Sequence, residues 1–121
     1  MSTEFAVIAV WAEDVGSTAH FYRDVLGLNM LSHHDARPHF MVDGIYFLIL
    51  KGKPAPAQDA EPERFPLFAL SADDLDEMVR RLQAHKVAMP WGLEQNQGER
   101  WVMLRDPGGN LIELVEWKIE R

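Results

Sequence analysis

Apolar positions along this chain follow two rhythms in turn, and the order of the rhythms repeats. Phe5 to Trp11 is an unbroken run rich in β-branched and aromatic residues, the pattern of a buried strand. Val15, Ala19, Tyr22, Val25 and Leu26 then recur at helical spacing, which places them on one side of a helix. Asp14 is suited to cap that helix, because its short carboxylate reaches the first free backbone N–H groups, and Gly27 is suited to end it. Leu28 to Leu31 begins a second strand, and His39 to Val42 reads as a third. Asp43-Gly44 is a tight-hairpin pair, so Ile45 to Leu50 folds back as a fourth strand.

Periodicity is lost over residues 53–64, where Pro54, Pro56, Pro62 and several acidic residues predict a linker. The first pattern then returns. Phe65 to Leu70 reads as a strand, and Asp73-Asp74 precedes a helix with Leu75, Met78, Val79 and Leu82 on one face. Val87 to Met89 begins another strand, Glu99 to Arg105 forms the next, and Leu111 to Trp117 forms the last, after the turn Asp106-Pro-Gly-Gly-Asn110. At an offset of sixty residues Phe5 falls on Phe65, Ala9 on Ala69, Ala12 on Ala72, and Glu13-Asp14-Val15 on Asp73-Asp74-Leu75. The match predicts an internal duplication of one βαβββ unit. Neither half is large enough to bury its own sheet, so the two must pack together. The expectation is a single α+β domain over 1–121, with one module at 1–52 and the other at 65–121.

A chain of 121 residues buries enough surface for a core without staples. It has no cysteine, which excludes disulfides, thiolate metal sites and cysteine nucleophiles. Its longest apolar runs, such as Ile45 to Leu50, fall far short of the ~20 residues that cross a membrane. The start of the chain has no basic, apolar leader. A cytoplasmic protein with no membrane partner is therefore expected. The net charge is −7 and no basic run occurs, which argues against a nucleic-acid partner. The acidic balance either favours cationic ligands by electrostatic steering or only keeps the chain soluble.

Asp14-Val-Gly-Ser-Thr-Ala-His-Phe-Tyr-Arg-Asp-Val-Leu-Gly-Leu28 resembles the first-helix signature of the vicinal oxygen chelate superfamily, the group of glyoxalases, bleomycin resistance proteins and extradiol dioxygenases. Asp73-Asp-Leu-Asp76 is similar to the start of its second helix, and Arg105-Asp-Pro-Gly-Gly-Asn-Leu-Ile-Glu-Leu114 to its closing hairpin. The resemblance covers nearly the whole chain. It implies two βαβββ modules whose curled mixed sheets surround a central cavity, with the helices outside. In metal-using members it implies a His on the first strand of each module and a carboxylate on the last strand, converging on one divalent ion.

Carried over residue by residue, the resemblance assigns the two histidine positions to Val7 and Leu67. It assigns the carboxylate to Glu113 and the module-one counterpart to Phe47 or Leu48. One carboxylate does not hold a catalytic ion, which needs about three protein ligands. The cavity is therefore expected without a metal or other cofactor. His33 and His34 read as loop residues, His20 and His85 as helix-end residues, and His39 as the histidine placed to meet a ligand.

Strand alternation puts Phe5, Ala9 and Trp11 on the face of Val7, and Leu111, Val115 and Trp117 on the face of Glu113. On the preceding strand either Trp101 and Met103 or Val102 and Leu104 face inward, and the first pair is favoured because Arg105 then falls at the rim. Trp91 follows Pro90 near the second half. Four tryptophans suit stacking on flat or cationic ligands, or a dimer interface. The candidate ligand-binding set is Val7, Trp11, His39, Phe47, Leu67, Trp91, Trp101, Met103 and Glu113. Glu113 in such surroundings must raise its pKa, pair with Arg100 or Arg105, await a cationic ligand, or act as a general base. The leading expectation is a homodimeric, metal-independent small-molecule binder that sequesters a cationic or aromatic antibiotic-like ligand. The alternative is a lyase, isomerase or dioxygenase, with a displaced metal site at His39 and Glu113 or with Glu113 as base. A third is a filled domain whose role is a protein contact.

Overall fold

The computed structural model describes residues 5–31, 38–53 and 66–118. His33, His34, Phe65 and the proline-rich linker from Pro54 onward lie outside the described residues. The first module runs β1 (Val7–Ala12), α1 (Val15–His20), β2 (Asn29–Leu31), β3 (His39–Val42) and β4 (Ile45–Lys51). The second runs β5 (Ala69–Ser71), α2 (Leu75–Ala84), β6 (Leu93–Gln95), β7 (Glu99–Arg105) and β8 (Leu111–Trp117). Each module folds one four-stranded mixed sheet, in the orders β1-β4-β3-β2 and β5-β8-β7-β6. The first strand of each pairs parallel with the last, and the other pairings are antiparallel. The duplicated βαβββ plan is thus drawn twice in the backbone.

The local signals act where the sequence places them. Asp14 accepts a bond from the Ser17 N–H at 3.0 Å, and Asp74 one from the Glu77 N–H at 3.1 Å, so both helices open on a carboxylate cap. Beyond α1 the helix widens into a π turn over Phe21–Val25, closed by the Leu26 N–H on the Phe21 carbonyl at 3.1 Å. Gly27, at φ 77°, ends it. Asp43 and Gly44 both have positive φ, 51° and 77°, the geometry of a tight hairpin between β3 and β4.

One expected strand is displaced. Val87 to Met89 forms no ladder. The chain turns there, with the Gly92 N–H on the Met89 carbonyl at 3.0 Å, and the strand is Leu93–Gln95. Pro90 has no N–H to give a neighbouring strand, and Gly92 turns the chain at φ 64°.

The core lies on the helix side of both sheets. Val10, Phe40, Phe47 and Ile49 of the first sheet join Val102, Leu104, Ile112 and Leu114 of the second, and Tyr22, Leu75 and Leu82 of the helices, in one cluster. Contacts between the modules run through this side. The Phe47 and Phe68 rings meet edge to face at 5.4 Å. The buried Tyr22 hydroxyl donates to Asp106 at 2.6 Å, and Asn110 Nδ2 donates to the Trp11 carbonyl at 2.9 Å. Among the described residues no helix is long and apolar enough to cross a membrane.

Candidate functional site

The face of each sheet away from the helices, the one the superfamily resemblance implies to be concave, carries most of the candidate residues. Parallel pairing of β1 with β4 sets Val7 beside Tyr46, Ala9 beside Leu48 and Trp11 beside Leu50. Antiparallel pairing adds His39 beside Leu48 and Met41 beside Tyr46. In the second module Glu113 sits between Ala69 and Met103, and Val115 between Ser71 and Trp101. Glu94 lies beside Trp101, and Glu99 beside Trp117. Leu67, two residues before Ala69, keeps the same alternation, and its N–H bonds the Leu111 carbonyl at 2.8 Å.

Val7, Trp11, His39, Leu67, Trp101, Met103 and Glu113 therefore lie on the concave faces. Phe47 does not. It is buried against Tyr22 and Phe40 on the helix side, and Leu48 takes the concave position. A strand alternates with period two, so a one-residue uncertainty in the carried-over position swaps the faces. Trp91 is half-buried in the turn ahead of β6. Tyr46, Met41, Leu50, Glu94 and Glu99 were not singled out by sequence. Alternation from Leu48 would have found Tyr46 and Leu50, but Glu94 and Glu99 come beside the others only through strand register.

Within one chain the hollow is open. Val7 is 48% exposed, Trp11 49% and Leu67 61%, values far above those of the helix-side core. The modules hold each other by their helix sides, which leaves Val7, Trp11 and Leu67 in solvent, while Met103, Leu111 and Val115 of the Glu113 face are buried.

Glu113 is the carboxylate among the residues carried over from the metal site. Burial pushes its carboxyl above the usual range, and the negative charges of Glu99 and Glu94 push it further. Arg100, one expected partner, faces the other way and bonds Glu116 at 2.8 Å and Asp76 at 3.2 Å. Arg105 donates to the Gly109 carbonyl at 3.0 Å. A carboxyl whose folded pKa is raised penalises the folded state when ionised. That penalty is full above the folded-state pKa and vanishes below the unfolded value. Glu113→Gln should therefore raise the melting temperature at neutral pH, and the gain should disappear as pH falls through the ordinary carboxylate range. Thermal melts of both proteins across pH check this; a gain that persists in acid would refute it.

Val7, Leu48 and Leu67 carry no donor atom. Among the described residues no three His, Asp or Glu side chains come together to hold a metal ion. The residues present do not fit a divalent ion at the position the resemblance indicates.

Trp11 is held by a glycine. A Cβ on Gly52 would lie 2.6 Å from the indole Cε3, so the ring occupies the space that a side chain would fill. Gly52→Ala should rotate the indole away, shift its fluorescence and cost about 1 kcal/mol through overpacking. An unchanged emission spectrum would show that the ring is not seated there.

Residues 4–114 match the sequence profile of the glyoxalase/bleomycin resistance protein/dioxygenase superfamily. The chain belongs to this superfamily. The Escherichia coli K12 protein YaeR is 31% identical over 119 residues, 90% of this chain and 92% of that one. The crystal structure of lactoylglutathione lyase from Agrobacterium tumefaciens superposes with a TM-score of 0.70 at 25% identity, over 99% of this chain and 100% of that one. TnmS3, an antibiotic-binding protein from Streptomyces sp. CB03234, superposes with a TM-score of 0.72 at 21% identity, over 97% of this chain and 98% of that one. The last similarity concerns the fold alone.

Proposed function

We infer that this superfamily member is a metal-independent binder of small cationic aromatic molecules, acting as a cytoplasmic homodimer. The observation that carries the reading is the make-up of the concave faces. Where the family pattern calls for imidazoles there are Val7 and Leu67, and around them lie Trp11, Tyr46 and Trp101 with Glu113 as the carboxylate. Apolar walls with a few polar groups suit a drug-sized ligand. Indole faces stack on flat cations, and a carboxylate pushed toward its neutral form regains charge when a cation arrives. The open faces support a second copy as the missing wall: one chain supplies the Val7 face and its partner the Glu113 face. TnmS3, which shares this fold, is an antibiotic-binding protein, and that supports the reading.

Tryptophan fluorescence titrated with bleomycin and ethidium tests the reading, alongside sedimentation of the free and ligated protein. Saturable quenching by a dimer is expected, and Glu113→Gln should weaken a cationic ligand by about tenfold, the worth of one charged contact. Absence of saturation, or a variant that binds as well as the parent, would count against it. So would stoichiometric Zn, Ni, Mn or Fe in the purified protein.

A second reading rests on Glu113 alone. A carboxyl raised by burial and like charges is suited to proton transfer, so a lyase or isomerase with Glu113 as metal-free base follows from the same geometry. Turnover of a hemithioacetal by the parent protein, abolished in Glu113→Gln, would favour it over sequestration.

A further inference from the structure

A second hollow lies on the helix side, and of its lining only Arg105 shares a strand phase with the Glu113 face. It is a groove of about 460 Å³ where the two modules meet, between α1 with its π turn and the segment that follows α2. Lys86 and Arg105 line it together with the imidazoles of His20 and His85. Asp24 is the acid among the lining residues, and it is already neutralised. Arg23 bonds it at 2.7 Å, which holds its carboxyl down to about 2, and the same guanidinium reaches His20 at 2.8 Å. In a chain of net charge −7, this groove concentrates positive charge. Val87 and Pro107 give it an apolar side.

Basic residues at a helix C-terminus are favourable for the helix itself. Lys86 carries more than that. It stands one residue past the α2 cap at φ 59°, the left-handed position that glycine adopts without strain. The turn is fully formed around it, with the Lys86 N–H on the Gln83 carbonyl at 3.0 Å and the Val87 N–H on the Leu82 carbonyl at 2.9 Å. A glycine would make the same bonds at lower cost, so the side chain is kept against the local backbone preference. A strained residue at the lip of a pocket points to a ligand.

We propose that this groove binds a small phosphomonoester, with Lys86 and Arg105 on the phosphate and the organic body against Val87 and Pro107. The phosphate is a compact dianion that accepts several charge-assisted hydrogen bonds, which matches paired cations flanked by imidazoles. The ligand spans both modules, because α1 belongs to one and Lys86 and Arg105 to the other. Arg105 ends the β7 row that carries Trp101 and Met103, but the other lining residues belong to the helices, the segment after α2 and the turn at Pro107, and the site does not depend on the reading of the concave faces.

The test is an amide NMR titration of the whole protein with inorganic phosphate and with adenosine monophosphate. Saturable shifts clustered at residues 20–25 and 85–88 are expected, with the nucleotide tighter than phosphate. Lys86→Gly should raise the melting temperature by about 3 °C, through relief of the backbone strain. It should also weaken the nucleotide by about tenfold. Lys86→Gln should weaken binding without that gain, which separates the charge from the backbone effect. The proposal is overturned if neither anion saturates at millimolar concentration, or if the shifts fall on the concave strands. It is also overturned if both variants bind like the parent, leaving Lys86 a helix-end residue only. Nucleotide binding no tighter than phosphate would overturn the phosphomonoester assignment.

Discussion

Asp106→Ala should lower stability by roughly 3–5 kcal/mol, the loss expected when a buried polar network is broken. Asp106 is 3% exposed and closes the junction between the modules. Its carboxylate accepts the Tyr22 hydroxyl at 2.6 Å, the Asn110 N–H at 2.9 Å, and Asn110 Nδ2 through both oxygens at 2.9 and 3.0 Å. Alanine would leave the Tyr22 hydroxyl and the Asn110 N–H without that acceptor in a space closed to water. Asn110 would also lose the anchor that aims its amide at the Trp11 carbonyl. For a domain of this size the loss corresponds to roughly 12–20 °C in Tm. Tyr22→Phe should cost less, about 1–2 kcal/mol, because Asp106 keeps its bonds from Asn110. Urea denaturation of the three proteins checks the ranking. Equal losses in the two variants would mean that the hydroxyl, and not the carboxylate, organises the junction.

Restoring imidazoles should have the largest functional effect. Val7→His combined with Leu67→His places donors at the two positions that the family resemblance assigns to metal ligands, with Glu113 as the third. The double variant should bind Zn²⁺ about a hundredfold more tightly than the parent, since three ligands make a site and one does not. Val7 and Leu67 lie on different sheets whose concave faces are open within one chain. The ion should therefore also drive dimerisation, and sedimentation with and without zinc should show it. Adding Glu113→Gln to the double variant should remove most of the gain. Calorimetric titration decides: a double variant no better than the parent would mean that these three positions do not converge in any assembly.

The duplication was legible because it is written in local chemistry. Asp14 and Asp74 cap helices by bonding a backbone N–H three residues on, and Asp43-Gly44 makes a hairpin through positive φ, whatever the rest of the chain does. The phase of β7 was open between two choices in the sequence, with Arg105 at the rim favouring Trp101 and Met103, and pairing with β8 puts those two on the face of Glu113. Phe47 was misplaced because nothing local distinguishes the two faces of a strand that is apolar throughout. Only pairing with β1 and β3 puts Leu48 on the concave side and Phe47 under Tyr22. The displaced strand at Leu93–Gln95 has the same origin, for Val87 to Met89 is apolar enough for a strand but finds no ladder before Pro90.

By itself the sequence determined the two βαβββ units, their caps and turns, the single carboxylate among the carried-over ligand positions and the absence of imidazoles beside it. Those features depend on residue type and spacing, which act within a few residues. Tertiary structure alone decided that the modules join through their helix sides and leave the concave faces open. It also decided that burial, with Glu99 and Glu94 beside it, raises the Glu113 carboxyl, and that Lys86 and Arg105 meet α1 across a groove. These depend on register and on which surfaces meet, and distant segments settle both only when they pack.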